Sequence, residues 1–412
     1  MAAPFDPPKT KGKPAVPTWV PPPATKEPLD WAKLHTIELS LLDSPDPNVV
    51  ADLVQLTKTA ILEDGFLYLT DYGVSLDQLH RQFDLAQYLH RNISDEDKEK
   101  LLWDPSTGMF AGFKRRYGWK REKGEMDSIE QFNFYRREFD ENRVPDCIKP
   151  FMDEITAFWP LIQLLRHLLT LQLIAFSNYL TNSVNRRLLM LLSRVLELPD
   201  DYLWTNVQSH GGPVGEGYFR HALFYPLPND ERERRKGVRM QGHSDYGSTT
   251  LLFSVPITAL HIWSTRDAKW QPVKYSPGSL VVNIGEALEI VSGGHFKATK
   301  HKVTDTPADQ QQYERLSLVQ FNASMGEKRL APAVESPLLQ REGFVLEQGV
   351  FQQYKKLLDA GLPVPTNREW REIQVSTRQQ QPPEQRLGGL KVVDGVKYGE
   401  DEFFGVKVLL PA

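Results

Sequence analysis

Gly242-His243-Ser244-Asp245-Tyr246-Gly247-Ser248-Thr249-Thr250-Leu251-Leu252 reads as a turn feeding a strand. Successive side chains of a strand point to opposite faces, so residues two apart share one. His243 and Asp245 therefore leave one surface side by side, an imidazole next to a carboxylate. A second imidazole would complete a set of two histidines and one carboxylate. That set holds non-haem Fe(II) and leaves coordination positions open for chemistry. The sequence has ten histidines from which to supply it.

Most of them suit the role poorly. His35, His80, His90 and His167 fall in a helical half of the chain, and His210 adjoins a Gly-rich loop. His221 and His261 each occupy a predicted strand, but nothing after them matches a metal motif. His295 follows Gly293-Gly294 and reads as a turn residue. His301 lies in the extended run Lys297-Ala298-Thr299-Lys300-His301-Lys302-Val303, which can pair beside the His243 strand, and it is the best third ligand. A lone histidine is more often a hydrogen-bonded core or surface residue, so His301 gains its weight from the company it keeps.

Tyr313-Glu314-Arg315-Leu316-Ser317-Leu318-Val319-Gln320-Phe321 repeats the two-residue logic. Arg315 and Ser317 share one strand face, and Leu316 and Leu318 take the other. A guanidinium beside a hydroxyl makes a carboxylate receptor, the Arg gripping with two charge-assisted bonds and the Ser adding a donor. The plain alternative is a structural ion pair with an internal acid.

Around these motifs the texture is β-rich. Phe219–Tyr225, Thr249–Ser254, Leu260–Trp263, Ser279–Ile284, Thr299–Val303 and Leu316–Phe321 are short strand-like runs between Gly, Pro and Asp, the rhythm of an all-β barrel or sandwich. Before them the chain is helical and mixed. Ala51–Gly65 and Leu76–His90 have helical spacing, Phe66–Leu69 reads as a strand, and Ser94-Asp95-Glu96-Asp97 caps a short helix ending near Trp103. Ile148 to Leu196 reads as strongly helical. Residues 341–361 are helical again, and Phe404–Leu410 reads as a closing strand. The divisions that follow are a disordered Pro-rich tail at 1–28, a helix-rich mixed region at 29–205, a catalytic core at 206–330, and a C-terminal helix and tail at 331–412.

The chain has 412 residues, 49 basic and 53 acidic side chains and a net charge of −4. Nothing in that balance calls for a nucleic-acid or anionic-membrane partner. The single cysteine, Cys147, excludes an intramolecular disulfide. It reads as a small structural residue in a reducing compartment. The N-terminus lacks the apolar run of a secretory signal. The uncharged stretch His167–Asn185 is broken by polar residues and reads as a packed helix rather than a membrane span. A cytoplasmic, monomeric protein is expected.

The ordered set His243-x-Asp245, His301, Arg315-x-Ser317 resembles the Fe(II)/2-oxoglutarate-dependent dioxygenases, in their isopenicillin N synthase-like branch. The likeness runs over about residues 35–325. Asp64-Gly65-Phe66-Leu67-Tyr68-Leu69 with Tyr72-Gly73-Val74 is similar to the family's N-terminal segment. Leu223-Phe224-Tyr225-Pro226 and Pro277-Gly278-Ser279-Leu280-Val281-Val282-Asn283-Ile284-Gly285 are similar to two of its strands. Leu223 stands where many members have Asn, Glu286 where Asp is usual, and Lys302 where Arg often follows the distal His. The resemblance implies a double-stranded β-helix (jelly-roll) barrel, mainly β, flanked by N- and C-terminal helices. It implies Fe(II) on His243, Asp245 and His301, with 2-oxoglutarate and O2 consumed. The far carboxylate of 2-oxoglutarate would rest on Arg315 and Ser317, with Tyr225 beside them. Oxidation of a small organic metabolite of secondary metabolism, by hydroxylation, desaturation or ring chemistry, would release succinate and CO2. The helical run 148–196 is longer than the family's segment, which points to an inserted turn or a mis-spliced gene model around Leu164–Phe176.

Other readings remain open at the sequence level. An iron oxidase without 2-oxoglutarate would use Arg315 and Ser317 for its substrate's carboxylate. The run Lys114-Arg115-Arg116-Tyr117-Gly118-Trp119-Lys120-Arg121 motivates an oxygenase of nucleic acid or protein, although a solvated loop offset by Glu122, Glu125 and Asp127 is the simpler reading. A non-enzymatic binding protein is a third. Phe132, Phe134, Tyr135 and Phe321 are candidate pocket walls. Glu231-Arg232-Glu233-Arg234-Arg235-Lys236 reads as an exposed loop. Gly211–Gly217 lacks the context of a phosphate loop.

Overall fold

Runs of β-branched and aromatic residues between turn formers become strands, as their composition favours. The computed structural model describes residues 12–104, 107, 109–118, 126–135, 143–152, 154, 179–208, 217–346, 349–372, 390–393, 396–403 and 406–411. The strands of the N-terminal half are β1 (His35–Glu38), β2 (Phe66–Thr70), β3 (Gly112–Lys114) and β4 (Ile129–Tyr135). Then come β5 (Tyr218–Phe224), β6 (Val238–His243), β7 (Thr249–Phe253), β8 (Leu260–Ser264), β9 (Lys269–Pro272), β10 (Leu280–Ile284), β11 (His301–Thr304) and β12 (Arg315–Asn322). The last are β13 (Leu390–Val393), β14 (Val396–Phe403) and β15 (Val406–Pro411). Among the helices are α1 (Pro47–Glu63), α2 (Leu76–Asn92), α3 (Asp95–Lys100), α4 (Arg186–Val195), α5 (Asn229–Arg235), α6 (Glu286–Val291), α7 (Pro337–Glu342) and α8 (Val350–Asp359).

One sheet has eight strands in the order β1-β2-β10-β7-β12-β5-β4-β3, a second has the order β6-β11-β8-β9, and β13-β14-β15 make a third. The first two face each other. Phe66, Tyr68 and Val281 of the large sheet share a buried cluster with Ile262 of the small one. Ile129, Ala222 and Phe224 share another with Val303. Alternation sets which side chains go where. On β5, Ala222 and Phe224 point between the sheets, while Phe219 and Leu223 point outward into the main core under the helices. Full burial of a side chain of this size contributes about 1.5–3 kcal/mol, so a slip of one residue in register would lose several such terms at once.

The helices on that outer side start where their caps dictate. Asp46 accepts from the Asn48 amide and Pro47 occupies the first turn of α1. Ser75 and Gln78 form a reciprocal capping box on α2, and Ser94 caps α3. Between α1 and β2 the chain reverses at Gly65, with φ +62. A Cβ there would stand 2.2 Å from the Lys297 carbonyl oxygen. Only glycine fits both demands, and the close approach brings the segment before β11 against β2.

Several expectations are corrected. The large sheet takes β1 to β4 from before residue 205 and β5, β7, β10 and β12 from after it. Disorder is expected through residue 28, yet from Gly12 the chain is placed, running as an extended strap without strand pairing in its Pro-rich part. Trp19 is buried against Phe83 and donates its amide to Asp84, and further on Thr25 and Lys26 bond Asp309. Polar partners far along the sequence thus anchor a segment too apolar-poor to order itself. The charged run at 231–236 is mostly helix α5, with Glu231 and Arg235 a buried pair rather than an exposed loop. The expected helix over 341–361 is two helices, α7 and α8, broken at Gly343. Of the helical run at 148–196, the last part is present as Leu180–Asn185 and α4, while 155–178, including the stretch Leu164–Phe176, lies outside the described residues. The Gly-rich run at 211–217 falls largely outside them too. The closing strand is β15, and it belongs to a three-stranded unit that the sequence pattern does not reveal.

Candidate metal centre

His243 is the last residue of β6 and His301 the first of β11, and the two are directly paired across the ladder. Asp245 is not on a strand. It sits in the bend between β6 and β7, so the convergence comes from a tight turn and not from strand alternation. The turn is held down by Gly285, whose Cβ position is 2.1 Å from the Gly247 carbonyl oxygen, and by the Glu286 amide donating to the Asp245 carbonyl at 2.7 Å. Ser244, between the two candidate ligands, donates to Glu286, which also accepts from the Trp370 indole at 3.0 Å.

One donor atom from each of His243, Asp245 and His301 lies within 4.8 Å of the other two. The Nε2 atoms of His243 and His301 stand 3.8 and 3.7 Å from Asp245 Oδ1. The other ring nitrogens face backbone carbonyls, His243 Nδ1 at 2.9 Å from Gln241 O and His301 Nδ1 at 3.3 Å from Thr299 O. A carbonyl only accepts, so each Nδ1 carries a proton, and each Nε2 faces Asp245, the ring atom through which a metal would be held. Asp245 Oδ2 accepts from Thr250 at 2.6 Å and from Asn283 at 2.9 Å, which leaves Oδ1 turned to the histidines. Burial opposes ionisation of Asp245, but His301, His243 and these two hydrogen bonds outweigh it and hold the carboxyl below its usual range. Two imidazole nitrogens and a carboxylate oxygen turned to one point form a set that fits a divalent cation.

Arg315 and Ser317 lie on the inner face of β12, opposite Phe224 and Ala222 of β5. The Arg315 guanidinium stacks over Phe224 at 4.9 Å, is buried, and makes no ion pair or hydrogen bond among the described residues. Burial, with the nearby Arg239 charge, lowers its pKa to about 10, so it stays cationic at neutral pH. Arg239 shares the neighbourhood, donating to Ser128 and the Tyr225 carbonyl and lying 5.8 Å from the same Phe224 ring. An unpaired buried charge costs several kcal/mol. A carboxylate from outside the chain fits this place, and the structural ion-pair alternative has no acid to supply it among the described residues.

Tyr225 is not brought to this group. It follows β5 on the opposite side of the sheet, packed against the main core with Arg116 over its ring at 4.7 Å and Glu130 and Glu314 nearby. Phe224 takes the inner position. Of the candidate walls, Tyr135 and Phe321 lie on the inner face, paired in register with Tyr218, while Phe132 and Phe134 join the main core. His221, buried between Phe134 and Phe219, is held neutral by burial with its pKa lowered to about 3. His295 bonds the Gly343 carbonyl, away from the centre. Sequence reasoning missed Thr250 and Asn283, although both lie in quoted runs. The basic run is not a solvated loop at its start: Lys114 is buried and paired with Asp127, and Arg115 pairs with Glu99. Residues 119–121 lie outside the described residues. Cys147 is partly buried, which pushes its thiol up to about 11.

Residues 218–324 match the family model described as 2OG-Fe(II) oxygenase superfamily, and residues 34–151 match that described as non-haem dioxygenase in morphine synthesis N-terminal. Together these span more than half of the chain. A homoarginine-6-hydroxylase of Oryza sativa subsp. japonica is 26% identical over 288 residues, 67% of this chain and 82% of that protein. A leucoanthocyanidin dioxygenase of Vitis vinifera is 26% identical over 277 residues, 66% of this chain and 68% of that protein. Among solved structures, a full-length Neurospora crassa protein in complex with alpha-KG and 5-formyluracil has a TM-score of 0.64 at 15% identity, covering 84% of this chain and 97% of that one. JOX2 in complex with 2OG, Fe and JA has a TM-score of 0.54 at 20% identity, covering 86% and 91%. The structural likenesses concern the fold. No helix among the described residues is long and apolar enough to cross a membrane.

Proposed function

Because the chain belongs to the 2OG-Fe(II) oxygenase superfamily, whose enzymes use Fe(II), 2-oxoglutarate and O2, we propose that it oxidises a small organic metabolite with release of succinate and CO2. His243, Asp245 and His301 are the iron ligands in this reading, and Arg315 with Ser317 receives the far carboxylate of 2-oxoglutarate. The two facing sheets are read as the halves of a jelly-roll barrel. The fold likeness to the Neurospora crassa protein and to JOX2 supports that reading. So do relatives that hydroxylate or oxidise small molecules, by their names.

One observation carries the proposal. A converging His-Asp-His set and a buried Arg315 with no acidic partner among the described residues occur in one molecule, between the same two sheets. Bound together, iron and 2-oxoglutarate supply an oxidation driven by O2. The protein's own part is positional. Thr250 and Asn283 orient Asp245, the Gln241 and Thr299 carbonyls fix the imidazole tautomers, and Arg315 and Ser317 set the direction of the cosubstrate. Apolar walls at Phe66, Phe224 and Phe321 limit water around the reacting atoms. Phe66 meets the His301 ring edge-on at 5.6 Å.

Calorimetric titration tests the assignment of the cosubstrate. Arg315→Met is expected to weaken 2-oxoglutarate binding roughly 10- to 100-fold, the worth of a charged hydrogen-bonded pair, with Mn(II) binding retained. Wild-type protein that binds metal but not 2-oxoglutarate, and forms product without succinate, would overturn the proposal and place a substrate carboxylate on Arg315.

A further inference from the structure

Arg220 is an inner-face cation that neither the metal ligands nor the cosubstrate seat employs. It pairs with Val319 of β12 in register, so it shares a face with Arg315 and lies one step from the Tyr218–Phe321 pair. Phe321 in turn pairs with Thr250, the residue that bonds Asp245. Arg220 therefore lies on β5, two strands across the sheet from Thr250, on the side toward β4.

Its surroundings are aromatic. The guanidinium lies 5.3 Å from the Tyr218 ring, 4.9 Å from Phe321 and 6.0 Å from Phe110. Tyr135, Tyr218 and Phe321 form a stacked row, at 4.5 and 4.7 Å between successive centroids. Phe110 stacks on Tyr246, the residue after Asp245. Asn133 fixes the orientation, accepting from Arg220 Nε at 2.7 Å while donating to the Phe110 carbonyl. One Nη donates to the Tyr218 hydroxyl at 3.1 Å. A guanidinium has five N–H donors in a planar fork. These two bonds lie along one edge, and among the described residues no bond engages the other Nη or the second N–H of this one, the two that point end-on.

No carboxylate among the described residues pairs with Arg220, and a second guanidinium, Arg371, adds to the positive field at Tyr135. Tyr135 and Tyr218 are buried, but Arg220, Phe321, Phe110 and Tyr246 each keep part of their surface open, as His243 and Asp245 do. These partly open side chains are contiguous, Arg220 lying over Phe321 and Phe110, and Phe110 stacking on Tyr246, the residue after Asp245. A planar apolar body would lie against the rings, and its anionic end would meet the fork.

We propose that Arg220 binds a carboxylate of the substrate, so that the substrate class is aromatic or similarly planar carboxylic acids. The inference rests on the oxygenase reading and narrows it. Asn133 acts as a positioning residue for this cation.

The test is saturation-transfer NMR on protein loaded with Zn(II) and 2-oxoglutarate, with phenylacetate, 3-phenylpropanoate, cinnamate and indole-3-acetate, each beside its primary amide. Acids are expected to bind roughly tenfold or more tightly than their amides, from a charge-assisted pair. Arg220→Gln should erase that preference, and Arg220→Lys, which keeps the charge without the fork, should fall between. Folding of each variant is read from its circular-dichroism spectrum and thermal melt. If Arg220→Gln does not fold, the wild-type and Arg220→Lys comparisons decide. Equal binding of acids and amides, or no acid bound while 2-oxoglutarate binds, overturns the inference and leaves the oxygenase reading standing. A loss of 2-oxoglutarate affinity in Arg220→Gln but not in Arg315→Met also overturns it, since the two cations would have exchanged roles. Failure of the wild type to bind 2-oxoglutarate at all defeats the oxygenase reading itself.

Discussion

At the scale of single residues, the groups behind the candidate ligands are as consequential as the candidates themselves. Asp245 can offer Oδ1 to a metal because Thr250 and Asn283 occupy Oδ2. Thr250→Val with Asn283→Ala is expected to lower affinity for Mn(II) or Zn(II) by about 10- to 100-fold, the usual effect of losing such support. A competition titration showing unchanged affinity would contradict this. Tyr225 gives the opposite expectation. Its hydroxyl is on the far side of the sheet from Arg315, so Tyr225→Phe should leave 2-oxoglutarate affinity within about twofold, less than a single hydrogen bond is worth. A drop comparable to that of Arg315→Met would show the assignment of faces to be wrong. Residue types and spacing singled out His243, Asp245 and His301, whose donor atoms converge, and Arg315 and Ser317, which share the inner face of β12. Types and spacing could not give the phase of β5. Which of Phe224 and Tyr225 points inward is set by pairing with β12, a partner some ninety positions away, since phase in a sheet belongs to the ladder and not to one strand.

At the scale of elements, tight backbone approaches decide whether the centre assembles. Gly65 must take φ +62 with the Lys297 carbonyl 2.2 Å from where a Cβ would be. Gly65→Ala is expected to cost about 2–4 kcal/mol, by combined strain and overpacking, read as a shift of the denaturant midpoint. A shift under about 0.5 kcal/mol, the range of an ordinary surface change, would contradict the account. The strands β5, β7, β8, β10, β11 and β12 were readable because each alternates or runs apolar between turn formers. Strands β3 and β4 were not. Gly112–Lys114 is short and adjoins a basic run, and Lys114 is buried only because Asp127 and the Ile129 carbonyl receive it. The metal turn was half legible. The His-x-Asp spacing was visible, but a carboxylate in a bend rather than on a strand depends on Gly285 and Glu286, some forty residues later.

At the scale of the whole molecule, the N-terminal strap ties helix α2 to the connection before β12 and to β9. Trp19 stacks on Phe83 at 4.3 Å, Asp309 accepts from Thr25, and the Ala32 amide bonds the Pro272 carbonyl. Trp19→Ala is expected to destabilise the protein by about 3 kcal/mol, at the lower end for a buried Trp, and a melt with no loss of stability would show the strap to be dispensable. Composition alone argued for disorder here, because the groups that order the strap lie from 65 to 284 positions away. The central claim is that residues far apart in the chain make one ferrous centre that also seats 2-oxoglutarate. Its most direct test is optical: oxygen-free protein titrated with Fe(II) and then 2-oxoglutarate, watched for the visible metal-to-ligand charge-transfer band. The account predicts a saturable band in the wild type that is lost when His243, Asp245 and His301 are all changed to Ala. No band in the wild type, or the same band in the triple variant, would contradict it.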